Sequence, residues 1–306
     1  MRIWRSLLFV PANQRRMLDK LNVLPADGFI FDLEDTVPPA EKANARAMAK
    51  EYIAKTPGDK SWVRVNAVPS GYLHEDLAEF VGTPGLAGFV VPKQDSPGDV
   101  AAVDRMLTGV EGRKGLAAGS TPIIVMIESA SGVLSSLQII TAAKRVESVV
   151  YAGGEDGDMN VSLGATWSSE GPEMMFVRQF TFVAARAADI KCPLDGVFSN
   201  IRDLEGFKRD TMLSKRLGFR GRTVIHPSQI EAANQIYMPT AAEIDYATRV
   251  LKAFDEALAR GTASTTVDGK LVDVAMAKTA SNILALVRSI EDQNPPAHKG
   301  ADSSRH

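Results

Sequence analysis

Pro122-Ile-Ile-Val-Met-Ile-Glu128 runs apolar without a break and then stops at a carboxylate. Bounded by proline on one side and the small cluster Ser129-Ala-Ser-Gly132 on the other, it reads as a strand buried on both faces. A helix-length segment follows. A second apolar run, Ser148-Val-Val-Tyr-Ala152, then opens into Gly153-Gly-Glu-Asp156. The pattern is strand, crossover and parallel strand, with an acid just past each strand end. In such a sheet Glu128 and Asp156 emerge on the same side. Two neighbouring carboxylates repel unless something positive lies between them, and a divalent metal fits that place.

Working outward, six further strand-like runs appear. They are Ser6–Pro11, Gly28–Asp35, Ser61–Asn66, Gly88–Lys93, Leu194–Phe198 and Gly221–Pro227. Helical spacing fills the gaps, at Glu41–Ala54, Leu73–Val81, Asp99–Leu107, Glu173–Ala188 and Asp203–Leu217, with Gly218 as a stop. Asn13 is placed to cap a helix over Gln14–Leu21, and Gly112–Ser120 reads as a glycine-rich loop. Eight strands alternating with helices over about 240 residues predict a closed (β/α)8 barrel. No Gly-x-Gly-x-x-Gly follows the first or second strand and no phosphate-binding Walker loop is present, which favours the barrel over a doubly wound nucleotide fold.

The polar residues agree with a barrel. Asp32, Glu34, Asp35, Arg64, Asn66, Lys93, Glu128, Asp156 and His226 all fall at or just after C-terminal strand ends, the face on which barrel enzymes build their sites. Any one of them could be a solvated loop charge; their agreement in position argues otherwise. His226 reads as a packing or hydrogen-bonding residue. Cys192, the one cysteine, reads as buried structure and excludes an internal disulfide or a cysteine metal cluster. A net charge of −2 gives no bulk field for nucleic acid or an anionic membrane. No run approaches the roughly 20 apolar residues of a spanning helix, and no export signal is read at Ser6–Val10, so the expected location is cytoplasmic.

Residues 1–239 are thus assigned to the barrel. Residues 240–291 form a helical extension, with a capping box at Thr240-Ala-Ala-Glu243, a turn at Asp268-Gly269 and a helix over Ala275–Ile290. The extension covers its own barrel or reaches a neighbouring subunit. Residues 292–306, polar with paired prolines, read as a disordered tail.

Leu8-Phe-Val-Pro-Ala12, Asp32-Leu-Glu-Asp35, Val63-Arg-Val-Asn66, Val91-Pro-Lys93, Ile127-Glu128, Glu155-Asp156 and Ile225-His-Pro-Ser-Gln229 occur in this order. Together they resemble the HpcH/HpaI aldolase/citrate lyase family, in its citrate lyase β-subunit-like and malyl-CoA or citramalyl-CoA lyase branch. The resemblance covers roughly residues 3 to 290 and implies a Mg²⁺-dependent carbon–carbon lyase acting next to a CoA thioester. It implies that Glu128 and Asp156 ligate the metal and that Arg64 binds the substrate carboxylate. Glu34 and Asp35 match acids near the metal and its waters. Asp273 matches an acid/base lying over a neighbouring subunit's site, although Leu271-Val272 stands where Met-Ile is more usual. Arg5 and the Asn13–Arg16 region, Asn13 and Arg16 in particular, fall near where the family receives CoA. A homo-oligomer, trimer or hexamer, follows by analogy. Two other readings use the same residues: a CoA-independent aldolase of 2-oxo acids such as pyruvate, and the β subunit of a multi-subunit citrate lyase acting on an acyl-carrier-protein thioester.

Overall fold

The computed structural model describes residues 2–168 and 171–293. Eight parallel strands close into a barrel in chain order: β1 (Ser6–Pro11), β2 (Gly28–Asp32), β3 (Ser61–Arg64), β4 (Leu86–Val91), β5 (Ile123–Ile127), β6 (Val146–Tyr151), β7 (Leu194–Asp195) and β8 (Gly221–Val224). Closure runs through β8 beside β1, with Ser6 opposite Arg222 and Leu8 opposite Val224. The expected (β/α)8 barrel is therefore present. It forms one compact unit, Trp4–Tyr237, and the chain from Met238 onward groups with the residues before Trp4 as a second.

Both faces of the strands are buried, which is why they read as unbroken apolar runs. Leu8, Val10, Phe29, Phe31, Val63, Phe89, Val125, Ile127 and Val149 belong to one core cluster that also takes in helix residues such as Ala45, Leu77, Val103 and Phe207. The alternate set, Leu7, Ile30, Trp62, Val90, Ile124 and Val150, is fully buried and fills the lumen. Each such aliphatic side chain contributes about 1.5–3 kcal/mol. The lumen is floored by Trp62, whose ring meets Trp4 edge to face at 5.3 Å. Gly88 makes room for it: a Cβ there would lie 2.6 Å from the Trp62 ring and 2.4 Å from the Pro122 carbonyl.

The strands end earlier than the apolar runs suggest. At β2 the cause is visible. The Asp32 carboxylate accepts the Glu34 N–H at 3.0 Å and the Thr36 hydroxyl at 2.6 Å, so the chain turns out of the ladder and Glu34 and Asp35 stand on a loop. Asn13 does not cap: the first helix is only Arg15–Leu18 with no side-chain cap, and a 3₁₀ turn follows at Leu21–Val23. The helix expected from Asp99 begins at Pro97, where Ser96 and Asp99 form a capping box. It runs to Arg113 because Val103, Leu107 and Val110 continue the buried stripe through the glycines.

In the second unit, helix Ala241–Ala259 opens with the expected Thr240–Glu243 capping box. A hairpin of β9 (Thr265–Val267) and β10 (Lys270–Val272) turns at Asp268-Gly269, both left-handed. Helix Val274–Gln293 follows, and Val250, Phe254, Val267, Val272 and Ala277 share a small core. Asp292 and Gln293 still belong to that helix, and the rest of the proposed tail lies outside the described residues. Among the described residues, no helix is long and apolar enough to cross a membrane.

Candidate active site

At the C-terminal ends of the strands lies a cavity of about 320 Å³. Phe9, Asp32, Asp35, Arg64, Met126, Glu128, Asp156, Asp158, Val197 and Thr223 are among the residues that line it. Alternation along β5 aims Met126 and Glu128 inward, and alternation along β3 does the same for Trp62 and Arg64. Glu128 and Asp156, deduced from separate strands, face one space.

Arg64 is buried and its planar fork is already engaged. Nε and Nη2 each lie 2.7 Å from an Asp32 oxygen, and Nη1 lies 3.1 Å from Glu34. The guanidinium carbon sits 4.9 Å from the centre of the Phe9 ring. Burial alone would raise the Asp32 carboxyl, but Arg64 overrides it and holds that carboxyl below its usual range. Its principal ion-pair partner is Asp32, with Glu34 second.

Glu128 is buried, and one oxygen accepts the Lys93 backbone N–H at 2.6 Å. Burial first, then the neighbouring Glu34 charge, push its carboxyl up to about 7. Burial also raises Glu34, against the pull of Arg64 and Lys93. Asp32, Glu34, Asp35, Glu128, Glu155, Asp156 and Asp158 thus gather around two cations, Arg64 and Lys93. Asp156 holds a left-handed backbone, φ 57°, uncommon for a residue with a Cβ. Among the described residues, no three His, Cys, Asp or Glu side chains converge as a ready-made metal cage. The donor set nevertheless fits Mg²⁺, which takes one or two carboxylates and completes its shell with water and substrate oxygens. A buried acid that burial and the neighbouring Glu34 together push up to about 7, in spite of Arg64, is the local sign of that fit.

A second cavity of about 300 Å³ shares Phe9 and Ile225 with the first and is walled by Leu8, Val10, Met17, Leu21 and Leu24 with Arg16, Lys20 and His226. Arg16 therefore stands beside the mouth. Asn13 follows β1 on the same side, and its buried Oδ1 has no hydrogen-bond partner among the described residues. Arg5 does not belong with them. It precedes β1 at the opposite end of the barrel, where its backbone and side chain donate three hydrogen bonds to Asp27, so the placement of Arg5 near CoA is corrected. His226 Nδ1 pairs with the Ser228 hydroxyl at 2.7 Å, and Cys192 is buried with its thiol pushed up to about 12 by that burial. Asp273 lies in the other unit, where its Oδ1 accepts the N–H groups of Ala275 and Met276 at 2.9 and 3.1 Å and caps the last helix.

Sequence reasoning missed the roles of Lys93 and Asp158. Asp158 was signalled by the run Glu155-Asp-Gly-Asp158, and Lys93 only by its place after β4.

A closed barrel whose mouth gathers acids around an arginine and a lysine has the form of a cation-assisted barrel enzyme. The family model described as HpcH/HpaI aldolase/citrate lyase matches residues 5–227, and one described as C–C bond lyase of the TIM-barrel fold matches residues 176–286. Citrate lyase subunit beta of Haemophilus influenzae is 34% identical over 291 residues, covering 94% of this chain and 98% of the relative. The (3S)-malyl-CoA thioesterase of Cereibacter sphaeroides is 32% identical over 289 residues, covering 94% and 95%. Among solved structures, the CitE protein of Mycobacterium tuberculosis in complex with magnesium, acetoacetate and coenzyme A superposes with a TM-score of 0.74 at 26% identity, covering 94% of this chain and 100% of that one. The chain belongs to the HpcH/HpaI aldolase/citrate lyase family and is a carbon–carbon lyase.

Proposed function

We propose that this enzyme cleaves, or in reverse forms, the carbon–carbon bond of a 3-hydroxy-acyl-CoA such as citryl-CoA, malyl-CoA or citramalyl-CoA. The products are acetyl-CoA and an oxo acid. The observation that carries the reading is the pairing of two cavities that share a wall: an acid-rich one holding Glu128, Asp156 and Arg64, and an apolar one edged by Arg16 and Lys20. The first suits a metal and a small oxo acid. The second suits the arm and phosphates of coenzyme A, and the magnesium, acetoacetate and coenzyme A complex of the mycobacterial relative supports both assignments.

Glu128 and Asp156 hold Mg²⁺ in this reading. When bound, the ion supplies Lewis-acid stabilisation of the charge that builds on oxygen as the bond breaks. Arg64, held flat by Asp32, would share its Nη1, now 3.1 Å from Glu34, with the oxo acid's carboxylate. Glu34 and Asp35 order water around the ion. Asp273 acts as the acid/base at the acetyl carbon, supplied by its own or a neighbouring subunit of a homo-oligomer. Asn13 and Arg16 contact the CoA. The single cysteine accords with a reducing, cytoplasmic setting.

The test is product analysis with malyl-CoA, citramalyl-CoA, free 4-hydroxy-2-oxo acids and an acyl-carrier-protein thioester, with and without EDTA. Acetyl-CoA plus an oxo acid, lost on chelation, is the expected result. Turnover of the free acids alone would identify a CoA-independent aldolase. Turnover of the carrier-protein thioester alone would identify a citrate lyase β subunit. A thioesterase outcome, malate plus free CoA, has a specific ground in the 32% identical Cereibacter relative.

A further inference from the structure

Lys93 touches the mouth twice, and the two contacts oppose one another. It sits just beyond β4 with a left-handed backbone, φ 54°. A residue bearing a Cβ is seldom found there without a compensating contact. The compensation is its N–H, which that conformation aims at Glu128 Oε2, 2.6 Å away. One oxygen of the buried carboxylate is thereby tied to the main chain, so the carboxylate cannot swing freely. The side chain turns elsewhere. Its Nζ lies 2.9 Å from Glu34, 3.1 Å from Asp35 and 3.6 Å from Asp158, as a fixed positive charge among three acids. Glu34 and Asp158 are also the acids whose charge acts on Glu128.

We infer that Lys93 is a positioning residue with a split action: its main chain sets the orientation of the Glu128 ligand, while its ammonium weakens the pull of the mouth on a divalent ion. The inference rests on the metal reading above. The main-chain bond favours the metal, because a ligand already held in place loses little freedom when the ion arrives. The ammonium disfavours it, because it offsets the negative charge of Glu34, Asp35 and Asp158 that would otherwise draw a divalent ion to the same mouth. The balance leaves an ion held firmly enough to be ordered and loosely enough to exchange with substrate oxygens.

The two actions separate by substitution, read as Mn²⁺ affinity by electron paramagnetic resonance and calorimetry on the full chain, with no turnover involved. Lys93→Met keeps an unbranched stem and removes the charge; it should bind Mn²⁺ about fivefold more tightly. Lys93→Val removes the same charge but resists the left-handed backbone, and should bind about tenfold more weakly than Lys93→Met. Lys93→Gly adopts that backbone freely and should match Lys93→Met within about twofold; it decides the main-chain action should the valine variant fail to fold. Equal or weaker binding by Lys93→Met overturns the ammonium's part. Valine equal to methionine, or glycine as weak as valine, overturns the main chain's part. No Mn²⁺ bound by the unsubstituted protein would instead refute the metal reading.

Discussion

Replacing Glu128 by glutamine removes a charge that the folded, metal-free protein holds at a cost, and the size of that cost follows from the site. The Glu128 carboxyl sits at about 7 against an ordinary 4.5, raised by burial and then by Glu34. Below pH 4.5 the folded and unfolded chains both carry the proton and nothing is lost. Between 4.5 and 7 the unfolded chain has released it while the folded chain retains it, so stability falls as pH rises; above 7 the whole penalty stands. A gap of 2.5 (7 − 4.5) at about 1.4 kcal/mol per pH unit gives about 3 kcal/mol, and sharing of charge with Glu34 and Asp158 reduces it to about 1–3 kcal/mol. Glutamine keeps an oxygen for the Lys93 N–H and carries no charge. Metal-free Glu128→Gln should therefore melt about 2–6 °C above the unsubstituted protein at pH 7.5, with the gap closing near pH 5. Saturating Mg²⁺ should raise the unsubstituted protein and leave the variant unmoved, and turnover should vanish. Calorimetric melting across that pH range is the assay. A variant that melts lower at pH 7.5, or a gap that ignores pH, would refute the view of Glu128 as an acid awaiting a cation.

Arg64→Lys keeps a charge but not the fork, so Asp32 loses a paired bond; we expect about 2–4 kcal/mol of lost stability in denaturant melts and a KM for the oxo acid that rises far more than that for CoA. Asp273→Asn should lower kcat with Mn²⁺ affinity unchanged, since asparagine still accepts the Ala275 and Met276 N–H groups and the helix cap survives. Gly221→Ala would set a Cβ 1.6 Å from the Trp4 carbonyl, a clash between neighbouring staves that costs on the order of 3 kcal/mol or more; soluble yield and circular dichroism would register it.

The barrel was legible because its strands are buried on both sides, and an unbroken apolar run such as Ile123–Ile127 admits few other readings in a chain of alternating helices. Strand ends were less legible because they depend on side-chain bonds made across space. Nothing local in Gly28-Phe-Ile-Phe-Asp32 announces that Asp32 will bind the Glu34 N–H and end pairing there. The meeting of Glu128 with Asp156 could be deduced from strand order alone. The bidentate grip of Asp32 on Arg64 could not, because it links β2 to β3 through rotamers that periodicity does not encode. Arg5 was misplaced although strand direction was enough to place it: it precedes β1, and a residue ahead of a barrel strand lies at the end away from the mouth.

The indole pair of Trp4 and Trp62 closes the barrel from beneath. Traffic is then confined to a single doorway: both fragments of a severed bond must leave by the route along which their parent came in. Fragments that have parted but not yet left share one small space, so recombination competes with escape.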